Sequence, residues 1–226
     1  CYKDAVNDNL GGDYSDGLAK LYIHGERKSN EWGKIGMWAY CASRVYDYIG
    51  ALPELDPERV AVVGHSRLGK TALWCAAQDK RFWAAISNNS GFGGAAIAKH
   101  GDGERVDDFR RCGSWDWYCP KFLSFIGCED ELPYDQHMLL ALIAPRLLVI
   151  GSAEQDQGAD PQSEFLSACA ASPVWEMLGH KGLVTPGRLP VAGTALTKGN
   201  IGYHLREGEH FLSRFDWGRY MDFLKL

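Results

Sequence analysis

Ser66 has a setting in which a serine could act as a nucleophile, within the turn Gly64-His65-Ser66-Arg67-Leu68-Gly69-Lys70. An apolar, β-branched run precedes this turn, and a helical pattern follows it. A sharp strand-to-helix turn of the G-x-S-x-G kind exposes the hydroxyl and aims the positive end of the helix at it. Here the second glycine comes one residue late, at Gly69. The alternative interpretation is that Ser66 only caps the helix.

A nucleophilic serine needs a base to take its proton and an acid to orient that base. Glu154 and Asp156 both follow the strand-like run 147–150, so either could be the acid. His210 lies in a short polar segment before the last helical pattern, with His204 as a rival base. The chain order of serine, acid and histidine is that of α/β-hydrolases. We therefore predict a triad of Ser66, His210 and one of the two acids.

Two cationic residues follow the nucleophile in the sequence. The backbone N–H of Arg67, directly after Ser66, is placed to stabilise the oxyanion of a tetrahedral intermediate. Lys70 follows one helical turn after Ser66 and could reach a polar or anionic substrate. Its alternative role is that of an ordinary solvated lysine.

The elements that must hold these residues alternate along the chain. Apolar patterns predict strands at 21–23, 60–63, 82–87 and 147–150, and helices at 31–50, 68–77, 162–178 and 216–226. This alternation predicts a mostly parallel α/β sheet. The continuous run 60–63 is typical of a strand that is buried on both faces.

Composition limits the function classes. The chain has 226 residues, 46% hydrophobic residues and a net charge of -5, which predicts one domain over 1–226. It has no basic stripe for nucleic acid and no apolar run that could cross a membrane. No cluster has convincing metal-ligand spacing, and serine catalysis needs no cofactor. We expect a monomer.

Several segments resemble the glucuronoyl esterases of carbohydrate esterase family 15, particularly the bacterial members. The resemblance covers about residues 30 to 226 and is carried by these segments: Gly64-His65-Ser66-Arg67-Leu68-Gly69-Lys70-Thr71-Ala72-Leu73-Trp74, Ser87-Asn88-Asn89-Ser90-Gly91, Gly93-Gly94-Ala95-Ala96, Leu132-Pro133-Tyr134-Asp135-Gln136-His137, Ala141-Leu142-Ile143-Ala144-Pro145-Arg146, Ala159-Asp160-Pro161, and Gly202-Tyr203-His204 through His210.

The resemblance implies an α/β-hydrolase fold, a three-layer sandwich around a mostly parallel sheet. It implies hydrolysis of esters between 4-O-methyl-glucuronic acid on xylan and lignin alcohols, by a secreted or periplasmic enzyme with a carbohydrate substrate. Because complete members have several more strands before the nucleophile, it also implies that the N-terminal part is missing here.

Carried over by position, the resemblance assigns roles to individual residues. Lys70 and Glu104 would bind hydroxyls of the sugar ring, and Arg67 would donate to the oxyanion. Many members place an acid where this chain has Asn89, so a second family position favours Asp156 over Glu154.

The resemblance also shows a departure near the acid. The family often has a tryptophan at the position of Gly158. We expect Trp115 or Trp117 to fill that part of the sugar site, or the sugar site to be altered.

Overall fold

A five-stranded sheet organises the part of the protein that carries Ser66. The computed structural model describes residues 2–225 and divides into two compact units. The first comprises Cys1–Pro57 and Arg105–Leu132, and the second comprises Glu58–Glu104 and Pro133–Leu226. The candidate catalytic residues, Arg67, Lys70 and Glu104 all belong to the second unit. One domain over 1–226 stays a prediction.

The elements follow the predicted alternation. The α-helices are α1 (Tyr2–Ala5), α2 (Ala19–Tyr22), α3 (Lys34–Ile49), α4 (Arg67–Gln78), α5 (Val106–Arg111), α6 (Gln136–Ala141), α7 (Pro161–Met177) and α8 (Arg214–Leu224). The strands are β1 (Ala61–His65), β2 (Ala84–Asn88), β3 (Leu147–Ala153), β4 (Ala195–Leu196) and β5 (Ile201–Arg206). Short 3-10 helices cover Pro57–Arg59, Ser114–Trp117, Pro120–Phe125 and Glu129–Glu131.

The sheet has the order β1-β2-β3-β5-β4. The pairs β1·β2, β2·β3 and β3·β5 are parallel, and β4 pairs antiparallel with β5. The carboxyl ends of these four parallel strands therefore lie along the same edge of the sheet. In open α/β sheets, ligands bind in the crevice beyond this edge.

Both faces of the sheet are covered by helices. Ala85 and Leu148 pack in one apolar cluster with residues of α4 and α7. Their neighbours Ala84 and Val149 point to the other face, where α8 contributes Phe223. Successive strand residues alternate between the two faces, so a strand covered on both sides must be apolar throughout. The three-layer α/β-hydrolase fold predicted from the sequence is confirmed.

Two strand predictions were wrong in detail. In place of the strand predicted at 21–23, the exposed Leu21 and Tyr22 end α2, and only its C-cap Ile23 has an extended conformation. Ala19, Lys20 and Leu21 are strong helix formers, and no strand within residues 2–225 pairs with this run. The predicted strand 60–63 corresponds to β1, which begins at Ala61 and continues to His65. It is an edge strand with Val63 38% exposed, so it is not buried on both faces.

The sequence patterns missed β5, although it lies inside the sheet. The buried polar residues His204 and Arg206 interrupt its apolar pattern. Both pair with the buried carboxylate of Asp216 on α8, at 2.8 Å and 2.9 Å respectively. A buried polar group must be paired, and these partners come from another element. The predicted helix 216–226 is α8, and Leu226 lies outside the described residues.

Among residues 2–225, no helix is both long enough and apolar enough to cross a membrane.

Candidate active site

Ser66 lies at a strained turn between β1 and α4. Its backbone has φ 58° and ψ −128°, a conformation that residues other than glycine rarely adopt. The Ser66 N–H donates to the carbonyl of Asn88 at 2.9 Å, which ties the turn to the end of β2. The side chain of Ser66 makes no capping hydrogen bond to α4. The helix-cap alternative therefore does not describe this serine.

Two close approaches explain the glycines of the turn. A Cβ on Gly64 would lie 1.8 Å from the carbonyl oxygen of Leu68, so any side chain there would collide with backbone. A Cβ on Gly69 would lie 2.9 Å from the Cβ of Ser90 and 3.1 Å from Ser87 Oγ. The turn therefore needs its second glycine at position 69, where α4 passes β2.

The predicted acid and base lie in hydrogen-bond contact. Nδ1 of His210, in the loop after β5, is 2.6 Å from Oδ2 of Asp156, in the loop after β3. Asp156 is 8% exposed, whereas the His210 side chain is 45% exposed. Burial favours the neutral acid, but hydrogen bonds from His210 and Asn89 outweigh it, so the pKa of Asp156 is lowered. Asp156 is therefore a carboxylate that accepts a hydrogen bond from the Nδ1–H of His210.

The rival residues lie elsewhere. Glu154 has an exposed side chain, and its backbone N–H donates to the carbonyl of Arg206 at 2.9 Å. His204 is 1% exposed and bonded to Asp216, which gives it a structural partner on α8. The structure thus brings together Asp156 and His210, rather than either alternative.

Asn89 contributes to the site although it cannot replace an acid. Its Nδ2 donates to Asp156 Oδ2 at 2.6 Å, on the same oxygen that faces His210. Its N–H donates to the carbonyl of Gly151 at 2.8 Å, and its φ is 46°. Sequence reasoning treated Asn89 only as a missing acid. Its position directly after a strand ending was the signal that it could face the crevice.

His65 is a second residue that sequence reasoning missed. Its ring centroid lies 4.6 Å from that of His210, which places His210 beside the Ser66 turn. His65 Nδ1 is 2.8 Å from Asn88 Oδ1, while Asn88 Nδ2 donates to the Tyr220 hydroxyl at 2.8 Å. Burial lowers the pKa of His65. The neutral ring therefore carries its proton on Nδ1 and packs against His210.

Lys70 is a buried cation at the first turn of α4. Its Nζ donates to the carbonyl oxygens of Ser90 and Phe92, at 2.5 Å and 2.7 Å. Glu104 Oε2 lies 3.7 Å away on a side chain that is 44% exposed. The predicted pair of Lys70 and Glu104 is thus brought together, and the idea of a solvated lysine is wrong because Lys70 is 3% exposed. Arg67 is the first residue of α4, so its N–H lies at the positive helix end.

Comparison with known proteins identifies the family. The model of fungal glucuronyl esterases matches residues 13–179. The chain belongs to the glucuronoyl esterase family. It is 43% identical to the carbohydrate esterase MZ0003 from an unknown prokaryotic organism, over 92% of this chain and 48% of that protein. It is 33% identical to the 4-O-methyl-glucuronoyl methylesterase of Hypocrea jecorina, over 76% of this chain and 40% of that protein.

Solved structures show the same relationship. The glucuronoyl esterase from Solibacter usitatus superposes with a TM-score of 0.89 at 41% identity, covering 96% of this chain and 55% of that one. A CE15 glucuronoyl esterase from Teredinibacter turnerae gives a TM-score of 0.87 at 32% identity, covering 93% and 51%. The resemblance stated from the sequence is confirmed. This glucuronoyl esterase-family chain spans about half the length of the relatives it matches.

The family departure at Gly158 leaves space beside the acid. A Cβ built on Gly158 would meet only Asp156 Oδ1, at 3.9 Å. The Gly158 carbonyl accepts a hydrogen bond from the N–H of Glu104 at 3.0 Å. Trp115 and Trp117 belong to the first unit. That either fills the space at Gly158 stays a prediction.

Gly64→Ala is expected to lower the free energy of unfolding by more than about 3 kcal/mol, because the new methyl group meets rigid backbone rather than a movable side chain. Urea denaturation measures the change. The matched control is Gly218→Ala within α8, where a Cβ meets nothing within 4 Å. That control should be neutral or stabilising by up to about 1 kcal/mol. Equal effects of both substitutions would contradict the clash.

Proposed function

We propose that this chain carries the catalytic centre of a serine esterase that hydrolyses esters of 4-O-methyl-glucuronic acid in lignin–xylan linkages. The observation that carries the proposal is the 2.6 Å contact between His210 Nδ1 and Asp156 Oδ2 beside the strained Ser66 turn. Nucleophile, base and acid come from the carboxyl ends of β1, β5 and β3. That is the arrangement by which α/β-hydrolases catalyse acyl transfer through a serine.

In this mechanism, Ser66 Oγ attacks the ester carbonyl while Nε2 of His210 takes its proton. Asp156 holds the Nδ1–H tautomer and stabilises the imidazolium that forms. The Arg67 N–H donates to the oxyanion. When the tetrahedral intermediate collapses, the alcohol leaves with the proton from His210. Water then attacks the acyl-enzyme by the same steps, releasing glucuronate and restoring Ser66.

The substrate class follows from Lys70 and Glu104. A buried ammonium and a half-exposed carboxylate, 3.7 Å apart, offer a donor and an acceptor to neighbouring hydroxyl groups of a sugar. Three curated relatives with 31–34% identity to this chain are named 4-O-methyl-glucuronoyl methylesterase. A polymeric lignocellulose substrate implies that the enzyme acts in a secreted or periplasmic form.

A second candidate is an esterase for another carbohydrate ester, such as acetyl xylan. Gly158 favours it, because the open space beside Asp156 lacks the tryptophan that the family often places there. A non-catalytic sugar-binding relative is the remaining alternative.

The test compares hydrolysis of a benzyl glucuronate ester with that of a simple acetyl ester by the purified chain, with Ser66→Ala as the control. We expect higher kcat/KM on the glucuronate ester, with turnover lost in Ser66→Ala. Preference for the acetyl ester would replace the glucuronate assignment by the second candidate. Absence of any Ser66-dependent turnover would favour the non-catalytic alternative.

A further inference from the structure

Glu164 is a buried carboxylate that the mechanism above does not use. It lies on the first turn of α7 and is 0% exposed. Its Oε1 accepts from the N–H groups of Ser90 and Gly91, at 2.8 Å and 2.9 Å. Its Oε2 accepts from the Ser152 hydroxyl at 2.6 Å. A carboxylate held by two adjacent backbone N–H groups fixes the path of the segment that provides them.

The segment that Glu164 holds is the loop 89–92 after β2. Two of its residues, Asn89 and Gly91, have positive φ values of 46° and 57°. At its start, Asn89 donates to Asp156. Further on, the loop provides both carbonyl oxygens that bind the Lys70 ammonium. Ser90 therefore accepts from Lys70 with its carbonyl and donates to Glu164 with its N–H.

We infer that Glu164 is a positioning residue that sets the charge and place of the Lys70 ammonium for the sugar, by anchoring the loop 89–92. This rests on the proposed function, since it assigns Lys70 to the sugar ring. The Ser90–Gly91 peptide joins the two groups, since its carbonyl accepts from Lys70 and its N–H donates to Glu164. Two buried groups of opposite charge linked in this way stabilise each other in a medium of low dielectric constant.

Electrostatics support the same coupling. Burial lowers the pKa of Lys70, and the carboxylates of Glu104 and Glu164 oppose that shift. Burial raises the pKa of Glu164 to about 7, although its hydrogen bonds from Ser152, Gly91 and Ser90 act the other way. At pH 8 Glu164 is therefore mostly an anion that favours the Lys70 ammonium.

Glu164→Gln isolates the charge. The glutamine has the same shape, its Oε1 can accept from both N–H groups, and its Nε2 can donate to the Ser152 hydroxyl. Glu176→Gln makes the same chemical change on an exposed residue of the same helix. Both changes are made in a Ser66→Ala parent, so that an intact methyl glucuronate ester can be titrated at pH 8 by calorimetry.

The expected result is that Glu164→Gln weakens binding of the ester about tenfold, the loss typical of one hydrogen bond to a charged group. Glu176→Gln should leave the Kd within twofold. An unchanged Kd in Glu164→Gln overturns the inference. Failure of the Ser66→Ala parent itself to bind the ester overturns the proposed function instead. If Glu164→Gln does not fold, Ser152→Ala removes one hydrogen bond to the carboxylate and must weaken binding about threefold.

Turnover separates positioning from a general structural role. With an intact Ser66, Glu164→Gln should raise KM about tenfold on the benzyl glucuronate ester and leave kcat/KM on the acetyl ester within twofold. Equal losses on both esters would mean that Glu164 only supports the triad, through Asn89 and Asp156, and would overturn its assignment to Lys70.

Discussion

Ser66→Ala is expected to lower kcat on a benzyl glucuronate ester by about 10⁶-fold, since a triad that loses its nucleophile retains only binding and oxyanion stabilisation. Alanine keeps the small volume at the strained φ of 58°, so the turn should persist. Steady-state hydrolysis with a chromogenic or chromatographic readout measures the loss. A Kd of Ser66→Ala for the intact ester that is close to the KM of the unaltered chain would show that the binding site still forms.

The control for this prediction is Ser29→Ala, the same chemical change at an exposed serine of the first unit. It should leave kcat within twofold of the unaltered chain. Ser66→Ala retaining more than about 1% of kcat would contradict covalent catalysis at Ser66, since the loss expected for a nucleophile is far larger.

Asp156→Asn is expected to lower kcat by about 10⁴-fold, because the neutral amide cannot stabilise the His210 imidazolium. In addition, the side-chain amide of the new asparagine has no orientation that satisfies all of its neighbours. Oδ2 of Asp156 accepts from His210 and Asn89, while Oδ1 accepts from the N–H of Ala159 at 3.3 Å. The amide NH₂ must therefore face a donor on one side or the other.

Glu154→Gln is the matched control, because it neutralises a carboxylate only two residues away. The exposed Glu154 should tolerate the change with kcat within twofold. Kinetics of both variants on the same ester decide between the acids. A severe loss in Glu154→Gln with a nearly neutral Asp156→Asn would overturn the assignment of Asp156.

The apolar pattern of the sequence was sufficient to predict the order and spacing of the helices and strands around the Ser66 turn. Apolar runs that can be buried on both faces predicted β2 and β3, and the helical period predicted α3, α4, α7 and α8. These signals are local, because each reflects the burial of neighbouring residues on the faces of one element. The strand β5 was not predicted because the polar side chains of His204 and Arg206 are paired with Asp216, which lies on another element.

The Ser66 turn and its place between a strand and a helix were thus determined by the sequence itself. Glycine is needed where one backbone segment closely approaches another, as at Gly64, so the glycines themselves indicate the turn in the sequence. The choice of acid was different. Asp156 and His210 are 54 residues apart, and only the pairing of β3 with β5 brings their loops together. The resemblance favoured Asp156 over Glu154, but only the tertiary structure places Asp156, and not Glu154, in hydrogen-bond contact with His210. Such contacts depend on positions in space that local periodicity does not encode.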